Sequence, residues 1–322
     1  MRRLVISAIT AAALLTATAA CGSSDDAGGS GGQAGGTTKV KVGAIPIVDV
    51  APLHLGIQKG FFTEQGIDVE VVNTTGGAAA VPGVVSGEFD FAFGNLVSLI
   101  VARAENLPLK VLAEGNSSTG QQGKDFGGIV VPKDSPITSA AQLAGKTVAV
   151  NNLKNIGDTT VRASVRQAGG DPAAVKFVEL PFPDMPAALD GKRVDAAWIV
   201  EPFFTVAQNQ GAKVIASNFV DTAPNLTIAA YFTSEKLLQQ KGDLAKRFTA
   251  AIEKSLAYAQ QHPDEARAVL PSYAKIDPTV AEKMTLPAWT GQINRASVQT
   301  LADLMLTDGL VKEKVDLGEL LP

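Results

Sequence analysis

The chain has 322 residues, 46% of them hydrophobic, with 28 Lys and Arg against 32 Asp and Glu. A net charge of −4 with no basic run and only 6% aromatic residues argues against nucleic acid as a partner. One cysteine excludes an intrachain disulfide, and one cysteine with two histidines gives no basis for a thiolate or imidazole metal site; no cofactor is expected either.

The first element is a leader. Arg2 and Arg3 precede the apolar stretch 4–20, which ends in small residues at Cys21. This is the three-part layout of a secretory signal, so 1–20 reads as signal peptide. Thr18, Ala19, Ala20 and Cys21 resemble a bacterial lipobox, with Thr18 where that pattern usually has Leu. Lipidation of Cys21 would place the protein on the extracytoplasmic face of the cell membrane. Two alternatives stand beside this: an ordinary cut near Ala20 leaving a free thiol, or a permanent span. The span is disfavoured by its length of about 17 residues and its Ala and Thr content. Residues 21–38 carry the Cys and a Gly-, Ser- and Asp-rich linker too polar to bury a core. As a coil it would reach roughly 23 Å.

The body then alternates strand and helix. Strands are predicted over 39–47, 68–73, 89–93, 110–114, 128–131, 147–150, 175–179, 196–200, 213–216 and 226–232, with apolar residues at helical spacing between many of them. Alternation of this kind predicts an α/β fold with mainly parallel sheets. Pro52 suits the first turn of a helix, where a missing N–H costs little, and Gly60 suits its end. From about residue 234 helices dominate. Leu244, Phe248, Ile252, Leu256 and Ala259 make one apolar stripe that stops before Pro263, read as structural.

Several stretches, in order, resemble one family. Residues 51–72 read APLHLGIQKGFFTEQGIDVEVV. Gly76-Gly77 follows, then Ser86-Gly87-Glu88-Phe89-Asp90, then Leu143-Ala144-Gly145-Lys146-Thr147-Val148-Ala149-Val150. Gly191-Lys192-Arg193-Val194-Asp195-Ala196-Ala197 leads to Glu201-Pro202. The set is similar to substrate-binding proteins of nitrate/sulfonate/taurine-type ABC importers and the related NMT1/THI5 thiamine-precursor group, over about 40–310. The resemblance implies a type II periplasmic-binding-protein fold: two lobes joined by two crossovers, near 125–132 and 225–233, with ligand in the cleft. Lobe one would be 39–127 plus 233–322, and lobe two 128–232. It also implies a monomer that meets an ABC permease and its ATPase.

In open α/β sheets ligands sit at the carboxyl ends of strands. That rule selects Asp49 after the first strand and Gly76, Gly77 and Ala78 after the second. Asn95 follows the third, as a ligand contact or as the N-cap of helix 96–105, and Asn116 the fourth. In the second lobe it selects Asn151, then Asp158, Thr159 and Thr160 near a helix start, where Asp158 is a ligand contact or a cap. Glu201 follows strand 196–200 and matches the family's Glu-Pro; it is a ligand acceptor or a helix-start acid favoured by the dipole. Trp198 and Phe203 either stack on a flat ligand or fill the core. The family's ligands include nitrate, taurine, alkanesulfonates and pyrimidines. With acids at 49, 158 and 201 and only Lys154 near the cleft, a taurine-like zwitterion or an aminopyrimidine is expected over bare nitrate. The competing readings are an enzyme of the same fold related to pyrimidine synthesis and a sensing module. His54, where the family usually has Tyr, and His262 are read as structural or surface residues, and catalysis is not expected.

Overall fold

A computed structural model describes residues 37–322. The leader, Cys21 and all but the last residues of the linker lie outside the described residues. The first elements are β1 (Thr38–Ala44), α1 (Ala51–Gln58), α2 (Phe61–Glu64), β2 (Ile67–Asn73), α3 (Gly77–Ser86), β3 (Phe91–Asn95), α4 (Leu96–Ala104) and β4 (Leu109–Ser117). Next come β5 (Gly127–Val131), β6 (Thr147–Val150), α5 (Ile156–Gln167), β7 (Lys176–Glu179), α6 (Met185–Asp190), β8 (Ala196–Val200), α7 (Phe203–Asn209), β9 (Lys213–Ala216) and α8 (Asn218–Thr222). After β10 (Thr227–Ser234) the chain is helical, with α9 (Glu235–Gln261), α10 (Pro263–Ala268), α11 (Pro278–Lys283) and α12 (Arg295–Thr307).

Two five-stranded sheets result, β2-β1-β3-β10-β4 and β7-β6-β8-β5-β9. β1 is parallel to β2 and β3, and β6 to β7 and β8. β10 runs antiparallel to both its neighbours in the first sheet, and β5 to both of its neighbours in the second. Each sheet is therefore mainly parallel with one reversed strand, and that strand is the first one after a crossover. The crossovers occupy 118–126 and 217–226 and pack together. Ser118 N–H donates to Leu226 O at 2.9 Å, and Gly123 N–H to Ser217 Oγ at 2.9 Å.

The second lobe boundary expected at 232 moves. β10 is hydrogen-bonded between β3 and β4, so the chain has returned to the first sheet by Thr227. Every residue of β10 is buried, and so is every residue of β8. A strand covered on both faces reads as an unbroken apolar run, and such a run carries no mark of which sheet it joins. The strand expected over 39–47 stops at Ala44, because Pro46 has no N–H for a ladder and a 3₁₀ turn, Val48–Val50, follows. That turn points Asp49 inward. α1 has Pro52 in its first turn and no side-chain cap, and Gly60 takes φ +80°. The α9 stripe is buried throughout, with Phe248 stacked on Phe91 at 3.9 Å. The helix is interrupted at Lys241, whose φ and ψ are −136° and 42°.

Candidate functional site

The loops at the carboxyl ends of β1, β2, β3 and β6 meet β8 and β10 around a cavity between the two sheets. Its volume is about 40 Å³. One water needs roughly 10–15 Å³, so the room is on the scale of a few waters, and a ring-sized ligand needs the walls to give. No Lys or Arg is among the residues lining it.

Asp49 is its one charged group. The side chain is buried; Oδ1 accepts from Asn116 Nδ2 at 2.9 Å, and Oδ2 has no partner. Burial pushes this carboxyl from 3.8 up to about 7, although its bond from Asn116 pulls the other way. The loop that carries it is held from distant parts of the chain. Trp289 Nε1 donates to Asp49 O at 3.4 Å, Tyr273 Oη to Ile47 O at 3.1 Å, and Val48 N to Glu201 O at 3.2 Å. Tyr231 lies nearby with an unpartnered, fully buried hydroxyl, and burial together with the Asp49 charge pushes its phenol up.

The Gly-Gly entry to α3 is required by close approach. Gly76 has φ +144°, and a Cβ there would fall 2.5 Å from Asn152 Oδ1. On Gly77 a Cβ would lie 2.9 Å from Ser98 Oγ. Both line the cavity. Asn95 also lines it and does cap α4, accepting from Ser98 N at 3.0 Å. From the second sheet, Asn151 donates to Thr75 O at 3.3 Å and leaves Oδ1 unpartnered. Five of the sequence-selected residues thus converge: Asp49, Gly76, Gly77, Asn95 and Asn151.

The others stand elsewhere. Ala78 is exposed on α3. Asn116 is fully buried behind Asp49. Asp158 turns back to Lys154 N at 2.9 Å, and burial lifts its carboxyl to about 6. Thr159 and Thr160 bond to the carbonyls of Asn155 and Ile156 within α5. Glu201 does not line the cavity. Its carboxylate accepts from Thr205 N at 2.9 Å, Thr205 Oγ1 at 2.7 Å and Thr285 N at 3.2 Å, while burial lifts it to about 7. The side chain bends four residues forward onto the start of α7, an arrangement invisible in its position at a strand end.

Sequence reasoning missed most of the walls. Phe182 and Phe219 flank Trp198 edge-on, with ring centroids at 5.3 and 5.8 Å, and all three line the cavity with Phe93. Trp198 serves as both core and wall, since it is 3% exposed and its indole N–H has no partner. Phe203 is half-buried on α7, away from the cavity. His54 stacks on Tyr273 at 3.8 Å, and burial pulls its imidazole down to about 4.

The sequence pattern of the family described as NMT1/THI5 like matches residues 47–266. The formylaminopyrimidine-binding protein of Halalkalibacterium halodurans is 24% identical over 68% of this chain, a match that spans 64% of that relative's own length. A putative ABC transporter periplasmic binding protein of Brachyspira hyodysenteriae is 24% identical over 87% of this chain and 86% of its own. Among solved structures, the alkanesulfonate-binding protein SsuA of Xanthomonas axonopodis pv. citri, bound to MOPS, superposes with a TM-score of 0.73. That likeness covers 90% of this chain and 99% of the other at 17% identity, and it establishes the fold alone.

Proposed function

We propose, from the premise that this chain belongs to the NMT1/THI5-like family, that it is the solute-binding component of an ABC importer and captures a small, flat, N–H-bearing ligand of the aminopyrimidine kind. The observation that carries this is the unpartnered Oδ2 of Asp49 in an aromatic-walled cavity without Lys or Arg. A carboxylate there repels nitrate or a sulfonate and accepts from an amine or ring N–H, a charge-assisted bond. Ring faces and edges of Phe93, Phe182, Trp198 and Phe219 suit a planar partner. Asn151 Oδ1 adds an acceptor and the Trp198 indole a donor. The taurine alternative keeps an ammonium for Asp49 but leaves its sulfonate without a cationic partner.

The lobes would close on the ligand and dock on a permease served by its ATPase, with Cys21 lipidated and the body at the extracytoplasmic face as a monomer. The cavity offers a lone carboxyl and no second acid–base group, which favours binding over catalysis. Mass spectrometry of small molecules released from the purified chain is expected to find a nitrogen heteroaromatic with an exocyclic amine; a sulfonate or nitrate in its place contradicts the reading.

A further inference from the structure

α5 belongs to the second lobe, yet it touches the first lobe at both ends. At its N-terminus Asn155 caps the helix, its Oδ1 accepting from Ile156 N at 2.8 Å. The same side chain donates through Nδ2 to Ser98 Oγ of α4 at 2.8 Å, and that hydroxyl donates to Asn95 Oδ1 at 3.3 Å. One hydrogen-bonded chain therefore runs from the N-cap of α5 to the N-cap of α4 across the gap between the sheets. Asn155 is 2% exposed and Ser98 4%, so water does not compete for either. At the other end Arg166, in the last turn of α5, donates to Asp308 Oδ1 at 2.5 Å, just beyond α12. Between these points Ser164 Oγ donates to Asp221 Oδ2 at 2.7 Å. The other oxygen of Asp221 accepts from Gln122 of the first crossover at 2.6 Å.

Neither Asn155 nor Ser98 lines the cavity, but Ile156, next to Asn155, and Asn95, three residues before Ser98, do. Ile156 and Asn151 form its second-lobe rim and Asn95 its first-lobe rim. We infer that α5 is the closure clamp of this protein, with Asn155 and Ser98 as positioning residues that convert contact with a ligand into a held closed form, and Arg166 with Asp308 as the outer fastening. The inference rests on the binding reading above only in taking closure as the working motion. The two N-caps stand at bonding distance in this structure, and a ligand that bridges Ile156 and Asn95 would favour that arrangement of the lobes. Loss of the Asn155–Ser98 bond frees the lobes; Asn155→Ser leaves the Ser98–Asn95 bond in place, whereas Ser98→Ala also removes that bond to the cavity-lining Asn95.

The test separates these roles. Asn155→Ser keeps a capping oxygen for α5 but is too short to reach α4. Full chains carrying Cys21→Ser and dye-bearing cysteines at the exposed Glu88 and Asp190 report lobe separation by single-molecule energy transfer. Without ligand, Asn155→Ser and Ser98→Ala are each expected to lower the closed-to-open ratio about five- to tenfold, as for one buried hydrogen bond. Their combination should cost no more than either alone. Arg166→Gln, half-exposed, is expected to lower the ratio about two- to threefold. Melting temperatures should move little. With 4-aminopyrimidine as probe, release should quicken by the same factors at an unchanged association rate. An unchanged closed-to-open ratio in both inner variants overturns the inference. So do additive effects in the double variant. Failure of 4-aminopyrimidine to bind would count against the proposed ligand and leave the ligand-free ratio to decide the clamp.

Discussion

The two lobes have the same plan and different duties. Each has three parallel strands, then a reversed strand, then a fifth, in corresponding order. At the cavity the first lobe supplies the ionisable group, Asp49, backed by Asn116, and the tight backbone of Gly76 and Gly77. The second supplies three of the four aromatic walls, Phe182, Trp198 and Phe219, with a single polar side chain, Asn151. Duplicated topology thus fixes where the loops arrive, and side chains divide the work. On the proposed reading, the first lobe selects by hydrogen-bonding chemistry and the second by shape.

Removing the charge should break that division most severely. Asp49→Asn is expected to weaken a donor-bearing ligand about ten- to a hundredfold, the scale of a bond to a charged group; calorimetric titration measures it. The same carboxyl predicts opposed pH trends. Its pKa rises from 3.8 in the unfolded chain to about 7 in the folded one, so the folded chain holds a proton that the unfolded chain has lost. Its contribution to ligand-free stability is full below about pH 4 and is lost as pH rises through about 7. Affinity, which needs the carboxylate, should climb over that window. Denaturant titrations of wild type and Asp49→Asn between pH 4 and 8 should show a shallower fall in the variant. Glu201 and Asp158, with Glu114 and Asp125, have the same sign of shift and sustain the remainder.

Trp198→Leu tests the second lobe. It forfeits edge contacts with Phe182 and Phe219, and aromatic pairs are worth about 0.5–1.5 kcal/mol beyond area. Affinity for planar ligands should drop about two- to tenfold, while the preference for N–H donors over oxyanions, set by Asp49, should persist. Lost preference would mean that chemistry and shape are not divided between the lobes. The smallest effect is expected at Glu201→Gln. Its partners Thr205 and Thr285 are protein groups, so affinity should stay within about twofold, and a loss above tenfold would bring this side chain into the cleft.

The strands and their sheet type were legible because apolar runs, turns and helical spacing agree along the body. Asp49, Gly76, Gly77, Asn95 and Asn151 were legible because strand ends locate a cleft. The sequence could not reveal orientation at those ends. Glu201 and Asp158 occupy the expected places and turn away, drawn by Thr205 and by Lys154 N–H. The aromatic walls were hidden for another reason: a Phe facing a cavity and a Phe facing the core have the same local pattern. Asn155 was passed over because its second bond is to α4, 57 positions away, and no local spacing encodes it.

On the proposed reading, the Asp49 carboxylate chooses the ligand. Calorimetric titration at pH 8 of wild type and Asp49→Asn, each with 4-aminopyrimidine and with methanesulfonate, tests it most directly. The expected result is that wild type binds the aminopyrimidine and ignores the sulfonate, and that the variant loses the aminopyrimidine. Wild type binding methanesulfonate, or the variant binding 4-aminopyrimidine as tightly as wild type, would contradict it.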